Sequence, residues 1–241
     1  AQPPIAAALN AVREPFNEHK FEKLAPLLRL QTYLTDVRFQ QIPPETKWNF
    51  NPFREHNWKV RGHAPETLTA SHFRIFKLPE ELIQEPWLQV DFPVKIPERP
   101  IIFHRSPRYH NTKFPWRSIH AAYGRQAVFV GMPDEHAAFC SKVGPVPYYP
   151  TSNYLQLARV IAGCSLFVGN QSCPYAIAEG LKQNAILESF YWAADCQFSR
   201  TNLKNDLHGR FRITPVETIL NPDLDREQIK HCEKLLGMSL D

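Results

Sequence analysis

Glycine and methionine are scarce in this chain of 241 residues, at 9 and 2. So little glycine excludes a collagen-like repeat. Long apolar runs are missing too: none reaches the ~18 residues of a membrane-spanning helix. The Ala-rich opening, from Ile5 to Leu9, lacks the basic flank and cleavage pattern of a signal peptide. Cysteines number five (Cys140, Cys164, Cys173, Cys196, Cys232), an odd count with no CxxC pair, which indicates neither a disulfide framework nor a zinc knuckle. Together these absences lead us to expect a soluble, cytoplasmic protein with reduced thiols, no membrane span and no metal. The first residue is Ala1 rather than methionine, so a processed or partial chain is expected.

What is present is a sizeable apolar fraction. Hydrophobic residues make up 43% and charged residues 22%, enough to build one large or two small cores and to exclude disorder. Prolines number 22, about 9% against a typical ~5%, and predict long irregular connections.

The net charge of +4 is unevenly placed. Between residues 95 and 125 lie seven cations (Lys95, Arg99, Arg105, Arg108, Lys113, Arg117, Arg125) against Glu98 alone, a net of +6 that leaves about −2 for the rest. His104, His110 and His120 fall in the same stretch. Such a concentration raises the local potential for an anion, with phosphate the natural candidate, or it forms a solvated basic face. Aromatics interleave with these cations, but no nucleic-acid-binding motif accompanies them.

Residues 5–32 read as helix in two pieces, with Leu24, Leu27, Leu28 and Leu30 on an apolar face and Pro26 opening the second piece. Residues 37–39 suit a short strand, the aromatic- and Asn-rich stretch 48–58 reads as irregular packing, and the rest of 33–88 shows no clear order. From residue 88 short apolar runs alternate with helical stretches. Strands are expected at 88–94, 101–104, 127–130, 166–168 and 185–190, and helices near 116–123, 133–143, 152–163 and 173–183. That alternation predicts an α/β fold with a Rossmann-like parallel sheet flanked by helices. A further helix is expected at 223–236. The organisation that follows is a reduced or incomplete amino-terminal lobe (1–87), a ligand-binding lobe (88–196) and a tail packing back on the body (197–241).

In an open parallel sheet, ligands bind beyond the carboxyl ends of the strands. Two loops have that position. One follows the strand at 101–104 and carries Arg105, Arg108 and Lys113. The other, Gly169-Asn170-Gln171-Ser172-Cys173-Pro174, opens a helix whose first N–H groups and dipole suit a phosphate, with Ser172 adding a hydroxyl. Ordinary capping by Asn170 or Ser172 explains the same residues. Glu179, two turns into that helix, is placed either to accept hydrogen bonds from a sugar or to sit in solvent.

The succession IIFHRSPRYHNTKFPW, AVFVGMPDEHAAF and YLQLARVIAGCSLFVGNQSCPYAIAEGL resembles the carboxyl-terminal half of GT-B glycosyltransferases, heptosyltransferase-like family 9 in particular, over roughly residues 88–195. The resemblance implies a site for a nucleotide-diphosphate sugar. Lys113, a few residues before Trp116, would meet phosphate, Glu135 the nucleoside, and Asn170, Gln171 and Ser172 the pyrophosphate. Arg105 would assist in neutralising the departing diphosphate. The family's chemistry is independent of metal and needs no cofactor beyond the donor. Gln171 stands where Asp is common in the family, Cys173 where Gly is common and Ala176 where His is common. The Gly-Asp loop that carries the family's catalytic carboxylate has no counterpart, since the first glycine, Gly62, precedes His63. The expectation is therefore a glycosyltransferase-like protein that binds a nucleotide-sugar donor and transfers the sugar to an acceptor hydroxyl if an amino-terminal segment or partner chain completes it. Two alternatives stand beside it: a non-catalytic binding or structural protein on the same scaffold, and a basic nucleic-acid-interacting module.

Overall fold

The computed structural model describes residues 16–40, 68–112 and 114–188. Its centre is a sheet of four parallel strands, β1 (Ile101–His104), β2 (Ala127–Phe129), β3 (Leu166–Asn170) and β4 (Ala185–Glu188), in the order β2-β1-β3-β4. Ile102 is in register with Val128 on one side and Phe167 on the other, and Val168 with Ile186. β1, β2 and β3 are buried at every residue, so their sequences are continuous apolar runs rather than alternating ones.

Helices α1 (Glu18–Arg29), α3 (Trp116–Tyr123), α4 (Pro133–Lys142), α5 (Tyr154–Ala162) and α6 (Cys173–Gly180) cover both faces, while α2 (Leu68–Phe76) packs against the 3₁₀ turn at Glu80–Gln84. Ile101, Phe103, Ala127, Phe129, Val168 and Ile186 pack with Trp116 and Ile119 of α3 and Phe139 of α4. Ile102, Val128, Phe167 and Leu187 pack on the other side with Leu157 and Ile161 of α5, Ile177 of α6 and Leu27 of α1. At ~25 cal/mol per Å² of apolar area removed from water, these two layers supply most of the stabilisation of the body. Among the described residues no helix is long and apolar enough to cross a membrane.

The outer edge of β2 is covered by backbone. Phe129 N donates to Pro147 O and Tyr149 N to Phe129 O, both at 2.8 Å, so residues 147–149 run parallel to β2 as an irregular strap.

The α/β class, the parallel sheet and helices α3 to α6 follow the sequence pattern closely, with ends shifted by a few residues. Other elements differ from expectation. Residues 88–94 are no strand: Trp87 N and Leu88 N donate to Gly180 O, Gln89 pairs with the Gln31 side chain and Val94 N donates to Arg159 O. The segment therefore crosses α5 and α6 and satisfies its backbone on helix ends and side chains, not on a neighbouring strand. Asp91 fixes it with Nε and Nη2 of Arg159 at 2.9 and 2.6 Å. Residues 37–39 are likewise irregular, with Phe39 against Phe16 and Phe21.

Pro26 does not stand near the start of a helix but inside α1, with Ala25 and Leu27 buried beside it, and the part of the expected helical stretch at 5–15 lies outside the described residues. α1 packs on α5, and Gln31 beyond its end bonds both Gln89 N and Gln89 O, so this part of 1–87 lies on the body. α2 and the 3₁₀ turn at Glu80–Gln84 stand in a stretch whose order the sequence leaves open, and the irregular packing expected at 48–58 lies outside the described residues. The helix expected at 223–236 and the tail 197–241 lie outside the described residues.

Candidate functional site at the carboxyl edge of the sheet

The chain leaves β1 towards β2 on one side and returns to β3 on the other. The strand order thus reverses between β1 and β3, and the loops after His104 and Asn170 open side by side at the carboxyl edge. A reversal of this kind splays the two connections apart and leaves a crevice above the strand ends. α4 and α6 follow β2 and β3, so each begins at this edge with the positive end of its dipole. α5 also begins there, because the strap along β2 carries the chain back up.

On the face shared with α3 and α4, the crevice is filled by an internal network. Glu188, fully buried at the end of β4, accepts Nε and Nη2 of Arg105 at 2.7 and 2.6 Å, Asn111 N at 2.8 Å and Trp116 Nε1 at 2.7 Å. Asn170, also fully buried, accepts Ser106 N at 2.9 Å and donates to Ser106 O, Ser106 Oγ and Arg108 O at 3.0, 3.1 and 2.5 Å. These two side chains bind the loop after β1 onto the ends of β3 and β4. His110 lies in the same layer, its Nε2 donating to Ser106 O at 2.7 Å; burial, then the Arg105 charge, lowers its pKa.

The ends of β1 and β2 are differently equipped. His104, the last residue of β1, stands in register with Gly169, which leaves no side chain beside it. Its Nδ1 lies 2.9 Å from Val130 O, and since a carbonyl only accepts, Nδ1 carries the proton. Nε2 is therefore a lone-pair acceptor, buried and without a partner among the described residues. Burial pushes the imidazole down to about 4, against the Val130 hydrogen bond, so it is neutral at pH 7.

Gly131 adopts a φ of +139°, and a Cβ there would meet Glu135 Oε2 at 2.6 Å and His104 Nδ1 at 2.9 Å. Only glycine admits both side chains over the same backbone. Glu135 Oε2 accepts Met132 N at 2.8 Å, closing the first turn of α4; burial raises the carboxyl pKa, partly offset by that bond. Tyr154 opens α5, shares a hydrogen bond with Cys173 of α6 and feels the Glu135 charge; burial, then Cys173, raises its phenol pKa. Arg108 lies within electrostatic reach of Glu135.

The expected site residues are therefore divided. Arg105 and Asn170 are held inside the loop network. Gln171 is buried. Ser172 takes the N-cap position of α6 in an extended conformation without capping it, because its hydroxyl donates to Asn170 O at 2.9 Å. Glu135 stands at the crevice. Glu179 is neither in solvent nor at the mouth: it is buried two turns down α6 and accepts Tyr175 OH at 3.0 Å. Lys113 lies outside the described residues.

Sequence reasoning missed Glu188, although a glutamate in the apolar run Ala185-Ile186-Leu187-Glu188 was a visible signal, because a charge at a buried strand end needs a partner. It also missed His104 as the orphan acceptor. Among the described residues no three His, Cys, Asp or Glu side chains are grouped to hold a metal ion.

Comparison with known protein families, with curated proteins and with solved structures finds no match.

Proposed function

We propose that this chain binds a nucleotide-diphosphate sugar in the crevice between β1 and β3, as the donor-binding part of a GT-B-type glycosyltransferase. The observation that carries the proposal is the strand-order reversal, with the α6 amino end, which no side chain caps, on one side of it and Glu135 on the other. The diphosphate lies against the first turn of α6, with Arg108 and Lys113 supplying cations from the loop after β1. Glu135 accepts from a ribose hydroxyl. Arg105 and Asn170 hold that loop in place rather than touching phosphate.

In the transfer step the acceptor oxygen attacks the anomeric carbon, the bond to the diphosphate breaks, and the nucleoside diphosphate leaves with the electron pair. Helix dipoles and cations aimed at that leaving group stabilise the charge as it develops. The acceptor's proton passes to a base outside the groups assigned above.

A second function, nucleotide binding without transfer, is favoured by the engagement of Arg105 and Asn170 in internal hydrogen bonds. Calorimetry with UDP, GDP and ADP tests the binding common to both, and nucleoside diphosphate release from the matching nucleotide sugars with added acceptors separates them. Failure of all three nucleotides to bind overturns the proposal.

A further inference from the structure

At the opposite, amino-terminal edge of the sheet, beside β2, a depression of about 370 Å³ is lined by Arg99, His120, Gly124, Arg125, Pro145 and Pro147. Arg99 precedes β1 by two residues and Arg125 precedes β2 by two, so the parallel pairing of the strands brings the two guanidinium groups to one place. No acidic side chain is among the lining residues.

Arg99 is fixed at one end only. Its Nη1 donates to Arg125 O and Ala127 O, both at 3.0 Å. Nε and Nη2 have no partner among the described residues. Those two nitrogens form the side edge of the guanidinium, the edge that meets two oxygens of an oxyanion in parallel hydrogen bonds. Its orientation is set before any ligand arrives, which reduces the entropy lost on binding. Arg125 is exposed at the rim, and its side chain has no partner among the described residues.

The wall opposite is shaped by absence. The His120 ring, held by Nε2 donating to Pro145 O at 2.8 Å, occupies space that a Cβ on Gly124 would approach to 2.9 Å and a Cβ on Gly144 to 2.4 Å. Two glycines thus let the imidazole lie flat against the backbone and keep the depression open.

We propose that this depression binds a phosphate group, with Arg99 clamping two of its oxygens and Arg125 closing over it from the rim. The group belongs either to free phosphate or to a small phosphate monoester. The site is separate from the carboxyl-edge crevice, being at the other end of the strands, and does not depend on it.

The test follows the Arg99 Nε–H resonance and, in every variant, the backbone amide resonances of Gly124 and residue 125 of the full chain by NMR during titration with inorganic phosphate and, separately, phenyl phosphate, with sodium chloride as the ionic-strength control. A saturable shift with either phosphate, absent with chloride, is expected. Binding should weaken at least tenfold in Arg125→Ala and in Arg99→Lys, since lysine keeps the charge but loses the two-pronged edge. Tighter binding of phenyl phosphate assigns the ester, and equal binding assigns free phosphate. UDP binding at the carboxyl edge should be unchanged in both variants, so loss of either site is read independently. An Arg99 resonance that ignores both phosphates, or phosphate affinity unchanged in folded Arg125→Ala and Arg99→Lys, overturns the proposal.

Discussion

Arg105 and Glu188, 83 residues apart in sequence, meet as a two-pronged ion pair at 2.6 and 2.7 Å, with the glutamate fully buried and the arginine nearly so. Asn111 N and Trp116 Nε1 complete the set of donors around the carboxylate. The pair closes a loop between the two ends of the β-α body, so the conformation of the loop after β1 depends on β4 being in place.

Removing one partner should be costly. Glu188→Ala leaves a buried guanidinium, an indole N–H and an amide N–H unmatched, and loss of half of a buried pair typically costs about 3–5 kcal/mol. Urea unfolding should show this loss. A change below about 1 kcal/mol would mean that water replaces the carboxylate.

Asn170 cannot be exchanged for its acid. Asn170→Asp turns a donor facing Ser106 O, Ser106 Oγ and Arg108 O into an oxygen facing the same oxygens. Asn170→Ala loses the bonds without that repulsion, at ~1–3 kcal/mol for the stranded Ser106 N–H. The expected order of melting temperatures is wild type, then Ala, then Asp. An Asp variant at least as stable as Ala contradicts this arrangement.

If the diphosphate binds as proposed, Arg108→Ala and Lys113→Ala should each weaken nucleoside diphosphate binding by ~1.5–3 kcal/mol, the scale of a charge-assisted hydrogen bond. Calorimetry reads this as roughly a tenfold to hundredfold rise in Kd. Retained affinity in both variants places the diphosphate elsewhere.

Acid should destabilise the fold through His104. The folded protein keeps this imidazole neutral down to about pH 4, whereas the unfolded chain protonates it near the ordinary 6.5. Between those values unfolding takes up a proton, so stability falls as pH falls, by up to about 1.4 kcal/mol per pH unit. His110, also lowered, acts in the same direction, while Glu135, raised by burial, acts in the opposite one. His104→Asn, which keeps a donor for Val130 O, should flatten the pH 4–6.5 limb of denaturation midpoints relative to wild type. Parallel limbs would show that His104 does not titrate on unfolding.

Local signals explain what was legible. Trp116-Arg117-Ser118-Ile119 through Tyr123 spaces its apolar residues helically, and α3 lies where that spacing put it. The runs Ile101-Ile102-Phe103 and Leu166-Phe167-Val168, too short for helices and bounded by turn residues, mark buried parallel strands. Leu88, Val90 and Val94 carried a similar apolar signal, yet their surroundings are helices α5 and α6, and a one-dimensional pattern does not say what a segment packs against. That the loops after β1 and β3 open together at the carboxyl edge was legible, because this follows from strand direction. Whether Arg105 faces a ligand or a carboxylate was not, since Glu188 reaches it only through the folded sheet. Gly131 carried no signal for its role, which is set by His104 and Glu135 arriving from different elements.

The strap along β2 has a colloidal consequence. An open strand edge offers unpaired N–H and C=O groups on which a second chain can template itself, the first step of many aggregation routes. Here the outward groups of Phe129 are already taken by residues 147 and 149. The strap carries Pro147 and is flanked by Pro145 and Pro150, residues that cannot donate to a ladder. The β2 edge itself is therefore closed to strand addition at Phe129, and fibrillar growth templated directly on β2 should be suppressed in concentrated solutions.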